Sequence, residues 1–583
     1  MTLNPSQLDH SRLQTPREDR TALVEPPFEH VAELSAENLR LRSGLDYDLQ
    51  GRSLADVSLM ARAELLDAAR RWTAAYRNVS AAPADPHGLI YLAGHQPQMF
   101  HPGVWFKNFA LGELAKRHGA TAINLIIDGD TLSDTSLRVP GGSVSEPYTA
   151  PIPFDRPDPS FPFEDRKIED RELFVSFGRR AIEQIAPLVP DPLMAQYWPL
   201  VQARAQHSDN LGACLAQARH QLEGSWGLET LEVPHSWICT GEAFQWFVAH
   251  ILARLPKFRA DYNDSLREFR RSHRMRSISH PAPDLVEEGP WFETPLWVWS
   301  AENPRRRRLF AQTTPGEILL SDRQSWEARL PLQAERDAHA AVERLMELQH
   351  RGVRIRPRAL VTTLWARLVL GDLFIHGIGG AKYDCVTDRL IQRFFGLAAP
   401  RFLVVSATLH LPIEHNRATP DDLRRIQHDL RAMIYHPERY LAGDSQSAEQ
   451  LADSVPLLRR SSAGGNALPR TACKRAVAHG DYPSGDADAP ARERAELLAE
   501  KQQWIATPQT ADNARRRCQA IRRINAALQP WLDDCRRLLA ERLAETSRRL
   551  QAESILAWRE YAFCLYTEPT LREFLSGLLH KTV

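Results

Sequence analysis

Two continuous apolar runs, separated by a segment of helical length, dominate the first part of the chain. Residues 89–93 are apolar, and residues 122–127 are apolar apart from Asn124, as in strands that are buried on both faces of a parallel sheet. Between them, residues 104–118 place their apolar side chains at helical spacing. Strand, helix and strand predict a βαβ unit, so both strands should run parallel and end at the same edge of the sheet.

The junction between the first strand and the helix is unusually polar. Residues 94–108 read GHQPQMFHPGVWFKN, with histidine, glutamine, lysine and asparagine among aromatic side chains. Sites in open α/β sheets lie beyond the carboxyl ends of the strands, and the start of a helix offers unpaired N–H groups to an anion. An ordinary connection with capping side chains is the alternative, but so many polar groups favour a ligand site. The candidates are His95, Gln96, His101, Lys107 and Asn108.

The second strand ends in a short acidic motif. Asp128 and Asp130 belong to the sequence DGDT at residues 128–131. Such a motif could bind a divalent cation, orient a substrate amine or cap the turn. The sequence leaves all three open.

A second polar segment follows a short predicted strand at residues 372–375. Residues 376–384 read HGIGGAKYD and precede a helix predicted over residues 385–395. Gly377, Gly379 and Gly380 permit positive φ and close backbone approach, so a loop here could surround an anion, with Lys382 adding charge. A tight glycine turn without a ligand is the alternative. Since both polar segments follow buried strands, we expect them to line one cleft.

The pattern divides the chain into three parts. Residues 1–85 predict an N-terminal helical wrap, and residues 86–415 an α/β core with a helical insertion at about 165–225 and a β-meander at about 290–325. Residues 416–583 predict a helical unit containing a flexible excursion at 445–490. Apolar positions from Cys518 to Leu538 alternate threes and fours, a coiled-coil seam that Pro530 must kink or divide. The seam predicts either an internal hairpin or a homodimer.

Composition and charge limit the classes of partner that the protein is expected to bind. The 583 residues include 73 basic and 73 acidic side chains, a balance that favours neither nucleic acid nor an anionic membrane. No run approaches the roughly 20 apolar residues that span a bilayer, so we expect a cytoplasmic protein acting on small molecules. The seven cysteines form no CxxC pair, which indicates reduced thiols; Cys385 is either a packing residue or part of the second polar segment. Residues 305–308, all arginine, predict a solvated hairpin tip.

Several short motifs occur in a recognisable order. They are GHQ at 94–96, DGD at 128–130, Arg356-Pro357, Thr362-Thr363, Gly379-Gly380 and SAT at 406–408. From residue 88 onward this order resembles the BshC family, the cysteine-adding enzymes of bacillithiol biosynthesis. His95 stands where that family shows glutamine.

The resemblance implies a Rossmann-like core, a C-terminal coiled coil that can dimerise, and a ligase that joins an amino acid to an amine-bearing, sugar-derived substrate. ATP or ADP is the implied nucleotide, and a metal is left open. His95 or His101 would act as base, and Asp128 would hold the ammonium group or a metal. The implied substrate- or nucleotide-binding residues are Gln96, Lys107, Asn108, Asp130, Arg356, His376, Gly377, Gly379, Gly380, Lys382 and Thr408.

Two other classes of protein would carry the same features. A regulatory protein that binds a nucleotide or sugar would keep the pocket without turnover. A scaffold built on the coiled coil would lack a ligand. Turnover distinguishes the first from a ligase, and a ligand-induced thermal shift distinguishes the second.

Overall fold

The structure is a computed structural model that describes residues 13–44, 46–79, 85–132, 134–158, 161–277, 280–413, 418–441 and 489–582. The chain divides into two units. The first comprises Met1–Ser143, Tyr148–Ile413 and Ala557–Val583, and the second comprises Val144–Pro147 and Glu414–Leu556. The described part is mixed α/β, with a mostly parallel sheet in the first unit and helices in the second.

The strands belong to one mixed sheet, one antiparallel sheet and one hairpin. In chain order they are β1 (Thr21–Glu25), β2 (Ile90–His95), β3 (Thr121–Ile126), β4 (Ser136–Gly142), β5 (Pro147–Pro153), β6 (Leu231–Pro234), β7 (Glu287–Glu288), β8 (Trp291–Ser300), β9 (Arg307–Thr314), β10 (Glu317–Ser321), β11 (Glu327–Leu330), β12 (Val353–Pro357), β13 (Leu373–His376) and β14 (Leu403–Thr408).

The α-helices occur in both units. They are α1 (Val31–Ser43), α2 (Leu54–Ala74), α3 (Pro102–His118), α4 (Arg171–Ile185), α5 (Met194–Arg204), α6 (Leu211–Ser225), α7 (His235–Ile238), α8 (Glu242–Ala253), α9 (Leu255–Ser272), α10 (His339–His350), α11 (Ala359–Trp365), α12 (Ile378–Leu390), α13 (Pro420–Tyr435), α14 (Glu438–Leu441), α15 (Ala489–Ala506), α16 (Ala514–Ala527), α17 (Asp533–Leu556) and α18 (Glu568–Thr582).

The main sheet has the strand order β1-β14-β13-β2-β3-β6. Every neighbouring pair from β14 to β6 is parallel, and β1 runs antiparallel on the β14 edge. The predicted βαβ unit is confirmed as β2, α3 and β3. Chain order runs outward from β2, with β3 and β6 on one side and β13 and β14 on the other. The direction therefore reverses between β2 and β13.

Helices cover both faces of this sheet. On one face, Ile90, Leu92 and Phe374 join a core that also contains buried residues of α2, α8 and α12. On the other face, the Tyr91 hydroxyl lies 2.8 Å from the Ser35 hydroxyl of α1 and 2.8 Å from His118 Nδ1 of α3. Burial on both sides explains why the strands read as continuous apolar runs.

Helices and short strands lie where the sequence predicted the two insertions. Helices α4, α5 and α6 occupy the region expected at 165–225, and strands β8 to β11 form the meander expected at 290–325. The meander is wider than its sequence pattern indicated, because β12 pairs antiparallel with β8 at its far side. Arg356, a candidate site residue, therefore lies on this second sheet.

Two sequence predictions are corrected in the first unit. The N-terminal segment is more than a polar wrap, since Thr21–Glu25 pairs with β14 as an edge strand before α1. Its five residues are all half-buried, so no alternation marked it as a strand. Helix α12 begins at Ile378, seven residues before the predicted start at 385, because the glycines that indicated a loop adopt helical conformation.

The second unit is helical. The Thr419 hydroxyl and the Asp422 carboxylate form a capping box at the start of α13, with Pro420 in its first turn. Pro530 lies in the 3-10 turn Gln529–Leu532, which divides α16 from α17. Within the predicted seam Ile524 and Leu528 are buried, whereas Cys518 is exposed. The excursion predicted at 445–490 lies outside the described residues, apart from 489 and 490 at the start of α15.

The end of the chain belongs to the first unit, although the sequence grouped it with the C-terminal helices. Residues 561–566 are buried. The Phe563 backbone N–H donates to the Phe100 carbonyl at 2.9 Å, and the Phe563 ring lies 4.5 Å from that of Trp105 and 5.1 Å from that of Tyr197. The helical pattern of the sequence places residues 416–583 in one unit. These aromatic contacts instead attach the last residues of the chain to the first unit.

Among the helices of the described ranges, none has the length and apolar character needed to cross a membrane.

Candidate functional site

Two strand-to-helix junctions are neighbours at the carboxyl edge of the main sheet, at the point where chain order reverses. We call residues 95–103, between β2 and α3, the closed junction. Residues 376–380, between β13 and α12, are the open junction. Because β2 and β13 are hydrogen-bonded and parallel, both junctions emerge at one edge, where ligands of open α/β sheets bind.

In the closed junction, His101 caps α3. Its Nδ1 accepts a hydrogen bond from the Gly103 backbone N–H at 3.1 Å, and Pro102 occupies the first helical position. A Cβ on Gly103 would lie 2.0 Å from the Ala407 carbonyl oxygen, so glycine lets α3 approach β14. Burial, together with the charge of Arg559, lowers the pKa of His101 to about 4. With Nδ1 used as an acceptor, the ring carries its proton on Nε2, which does not suit the predicted role as base.

His95, the other histidine of this junction, is also held by its neighbours. His95 Nδ1 lies 3.0 Å from the Gln96 carbonyl oxygen, and its ring meets that of Phe100 edge to face at 4.9 Å. Burial, reinforced by the charge of Lys107, lowers the pKa of His95 to about 3. The imidazole is therefore neutral near pH 7, but so low a pKa makes it a poor general base.

Gln96 and Asp130 meet, as both were expected to do at this edge. Gln96 Nε2 donates to Asp130 Oδ2 at 2.9 Å, and Arg306 Nη1 lies 3.1 Å from Asp130 Oδ1. Arg306 also donates to the Gly129 carbonyl at 2.8 Å, and its side chain is only 18% exposed. The arginine run at 305–308 is thus not wholly a solvated tip.

Lys107 is a buried cation that lies at the strand ends. Its Nζ donates to the Gly94 carbonyl at 2.5 Å, and no carboxylate of the described residues lies within ion-pair distance of it. Burial, with a smaller contribution from Arg219, lowers the pKa of Lys107 to about 8. Its charge also lowers the pKa of both His95 and His376. An ammonium group without a counter-ion is therefore close to both junctions.

The open junction differs from the predicted glycine loop. Gly377 is the N-cap of α12 with φ −81° and ψ 168°, and Gly379 and Gly380 lie in the first helical turn. None of the three has positive φ, so the predicted backbone cradle is replaced by a helix start. Within the described ranges no side chain accepts from the first N–H groups of α12, which remain available to an anion. Lys382 is half-exposed on the same helix.

His376 and Asp384 form a pair at this junction. His376 Nε2 lies 2.9 Å from Asp384 Oδ2, while the Thr363 hydroxyl donates to Asp384 Oδ1 at 2.6 Å and Arg367 Nη1 to Oδ2 at 2.5 Å. Burial alone would raise the pKa of Asp384, but Arg367 and His376 hold it well below its ordinary value. The sequence did not single out Asp384, which closes the HGIGGAKYD motif and lies on α12, whereas His376 ends strand β13.

Asp128 is anchored by its neighbours. Ser236 donates to its two oxygens, from the backbone N–H at 2.9 Å and from the hydroxyl at 2.5 Å. Burial and the charge of Glu164 raise the pKa of Asp128 to about 7. Glu164 is in turn held by Arg356, at 2.9 Å and 2.6 Å. Arg356 therefore reaches this region, but with its guanidinium already paired.

Asn108 belongs to a buried ionic cluster beneath α3. It donates to Glu223 Oε1 at 2.8 Å, and Arg219 bridges Glu223 and Glu232 at 2.6 Å each. His220, Glu223 and Glu232 have the spacing of a metal site. However, Tyr76 and Thr230 occupy the nitrogens of His220, and Arg219 supplies the positive charge, so the residues fit an ion-pair network better than a metal.

A cavity beside this cluster has space for about one water molecule. Its lining includes His95, Gln96, Phe100, Asn108, Asn124, Arg219 and Glu232.

Thr408 and Cys385 have structural contacts. The Thr408 hydroxyl donates to the Pro16 carbonyl at 2.6 Å and accepts from Arg559 at 3.2 Å. Cys385 is half-buried, and burial raises its pKa to about 11. It is a protonated thiol at neutral pH, as expected of a packing residue.

The structure thus brings together His95, Lys107, His376 and the start of α12, whereas Arg356, Asn108 and Thr408 are held by other side or main chains. Neither known protein-family models nor curated proteins match the chain.

Proposed function

We propose that the protein is a BshC-like ligase that joins the carboxyl group of an amino acid, cysteine by resemblance, to the amine of a sugar-derived substrate with the help of a nucleotide. The observation that carries the proposal is Lys107, a buried ammonium group without a carboxylate partner in the described residues, at the reversal point of the sheet. A buried charge is costly unless it is paired. An anionic ligand is the partner that would stabilise it.

The strand order supports a nucleotide as that ligand. It runs outward from β2 in both directions, which supports a doubly wound, Rossmann-like sheet, a class that binds nucleotides at the reversal point. The uncapped start of α12 adds N–H donors and a positive helix dipole there. Lys107, the first turn of α12 and Lys382 are the residues that would hold a phosphate group of ATP or ADP.

Amide formation needs an activated carboxyl group and a deprotonated amine. Nucleotide phosphate would supply the activation, and the cations at the junctions would offset the charge that develops on the reacting oxygen. At the next strand end, Asp130 is the acidic group with the greater exposure; its side chain is 43% exposed. It is better placed than the anchored Asp128 to receive a substrate ammonium group.

A regulatory protein that binds nucleotide without turnover is the second candidate. It is favoured by the engagement of three residues that the sequence assigned to catalysis. His101 caps a helix, Asp128 accepts two bonds from Ser236, and burial, with the charge of Lys107, lowers the pKa of His95 to about 3.

Self-association through the second unit belongs to the same proposal. Ile434, Tyr435 and Ile505 expose 42%, 56% and 42% of their surface in that unit. A coiled-coil pairing with a second copy would cover such side chains. Light scattering on full-length protein would test it, with a monomer as the contradicting result.

The test of function is a thermal-shift screen of ATP, ADP, inorganic phosphate, cysteine and amino sugars on the purified protein, followed by mass spectrometry of acid and amine pairs incubated with ATP. A ligase yields a product whose mass is the sum of acid and amine less one water. Stabilisation by nucleotide without any product supports the regulatory protein instead. If neither nucleotide nor phosphate raises the melting temperature, the anion site is contradicted.

A further inference from the structure

His376 has one ring nitrogen that is fixed and one that is free. Its Nε2 lies 2.9 Å from Asp384 Oδ2, so the carboxylate holds the ring proton on Nε2 and leaves the lone pair on Nδ1. Within the described ranges Nδ1 has no hydrogen-bond partner, although the side chain is 96% buried, being 4% exposed. Thr363 and Arg367 hold Asp384 in place.

The free nitrogen faces the first turn of α12. A Cβ built on Gly380 would lie 2.8 Å from His376 Nδ1, closer than real Cβ contacts come. A Cβ on the adjacent Gly379 would have no atom within 4 Å. Glycine at 380 therefore keeps the space in front of Nδ1 open, on the same helical turn whose N–H groups are uncapped.

From this geometry we infer that His376 is the general base of the site, with Asp384 as the residue that positions it. The inference rests on the proposed amide-forming function. It assigns the role that the sequence gave to His95 or His101. In His101 the Nδ1 lone pair accepts from the Gly103 N–H. In His95 the Nδ1–H donates to the Gln96 carbonyl, and no carboxylate of the described residues acts on the ring to balance the charge of a protonated imidazole. His376 alone among the three presents an oriented, unbonded Nδ1.

The electrostatic surroundings suit this role. Burial lowers the pKa of His376, and the charges of Arg367 and Lys107 act in the same direction, while Asp384 opposes them. The ring is therefore neutral at neutral pH, and Asp384 keeps it more basic than burial alone would, a support that no carboxylate in the described ranges gives to His95. Once it is protonated, its charge is balanced by Asp384, as in other carboxylate-histidine pairs.

The amine enters as an ammonium group, and Nδ1 takes one of its protons, which frees the nitrogen lone pair. That lone pair forms the C–N bond to the activated carboxyl carbon, and the bond to the leaving group breaks with its electron pair on the leaving group. The amide nitrogen loses its second proton to the departing group or to water. His376 then releases its proton to solvent.

The test compares two glycine variants in full-length protein. Gly380→Ala should lower the turnover of the condensation by about 100-fold or more, the range expected for a lost general base, while ATP still stabilises the protein. Gly577→Ala, a helical glycine of α18 whose Cβ would have no atom within 4 Å, is the control and should keep turnover within about twofold. Gly577→Ala should melt at or slightly above the wild-type temperature, since alanine favours a helix over glycine by about 1 kcal/mol. In contrast, Gly380→Ala should melt no higher than wild type, because His376 must shift to admit the new Cβ.

His376→Gln should lose turnover to a similar extent. His118→Gln, which changes the last residue of α3, is its control. A Gly380→Ala variant as active as the Gly577→Ala control, or an active His376→Gln, would overturn the assignment of the base. Failure of the wild-type protein to condense any acid and amine is a failure of the proposed function instead.

Spectroscopy tests the assignment even then. In protein labelled with ¹⁵N-histidine, the signal that disappears in His376→Gln should show a neutral ring protonated at Nε2 at pH 7. That signal should shift in Gly380→Ala and stay in place in Gly379→Ala. A ring protonated at Nδ1, or one insensitive to both alanines, would contradict the geometry on which the inference rests.

Discussion

The closed and open junctions occupy equivalent places, each between a buried parallel strand and a helix, yet their polar groups are used differently. In the closed junction the helix start is capped by His101, and Gln96 is bonded to Asp130. In the open junction the helix start has only Gly377 as its N-cap, and His376 Nδ1 has no partner in the described residues. The junction with more polar residues in the sequence is the one whose polar groups are already satisfied.

This difference teaches that polarity at a strand end has two physical origins. A buried polar atom must be hydrogen-bonded, so a segment that carries many polar groups can use them on one another and on the neighbouring backbone. A ligand requires groups that remain unpaired. Lys107 is the exception near the closed junction, because no carboxylate of the described residues pairs with it. It belongs to α3, and its ammonium group donates to the Gly94 carbonyl at the strand ends.

If the polar groups around the closed junction are structural, replacing Arg219 in the ionic cluster beneath α3 should lower the free energy of unfolding more than the other changes described below. Arg219→Met leaves Glu223 and Glu232 without their shared partner, and breaking a buried ion pair in this way costs about 3–5 kcal/mol. Urea unfolding measures the loss. Arg71→Met, in an exposed pair with Asp67, is the control and should change the free energy of unfolding by less than about 0.5 kcal/mol. A loss for Arg219→Met no larger than that of the control would show that the cluster does not hold α3.

Asp128 should make the free energy of unfolding depend on pH. Its folded-state pKa is raised to about 7 by burial and Glu164, so the folded protein holds this proton more tightly than the unfolded chain. Stability from this group is fully present below about pH 4, the unfolded value, and is lost as pH rises through 7. The free energy of unfolding should fall across this window by at most about 1.4 kcal/mol per pH unit for this group.

Asp128→Asn should flatten that decline, as measured by urea unfolding at several pH values. Some decline should remain, because burial raises the pKa of Glu232 to about 7 as well, with the same sign. An unchanged slope in Asp128→Asn would mean that Asp128 is ionised in the folded protein and free to act as the predicted ammonium holder.

A substitution at His101 distinguishes a helix cap from a catalytic base. His101→Ala should lower the free energy of unfolding by about 1 kcal/mol, the usual effect of losing a helix cap, and leave the stabilisation by ATP unchanged. His339→Ala, at a 63% exposed histidine, is the control for both measurements. Unaltered stability combined with lost turnover would instead restore His101 to the role that the sequence gave it.

Much of the fold was predictable because it depends on local pattern. The apolar runs of β2 and β3, with a segment of helical spacing between them, predicted the βαβ unit that the structure contains. The edge strand β1 was not predictable, since its five residues are half-buried and lack a period. The place of residues 557–583 in the first unit depends on aromatic contacts between segments far apart in sequence, which no local pattern reports.

The candidate site was predictable in its location but less so in its chemistry. Parallel strands bring their carboxyl ends together, so His95, Asp128 and His376 could be placed at one edge of the sheet. Which nitrogen or oxygen remains free depends on partners such as Ser236, Gly103 and Asp384, and these come from other elements or from backbone atoms. The glycines of the open junction were misread as a loop for the same reason, since packing of α12 on the sheet decides their conformation.

The anion site is tested most directly by calorimetric titration of ATP into the wild-type protein, Lys107→Met and Lys116→Met, the last being an exposed lysine further along α3. Lys107→Met should bind ATP at least about tenfold more weakly, equal to about 1.4 kcal/mol or more. Without ligand it should be as stable as wild type or more so, because an unpaired buried charge has been removed. Lys116→Met should behave as wild type. Binding of ATP to Lys107→Met within twofold of wild type would contradict a ligand site at the reversal point of the sheet.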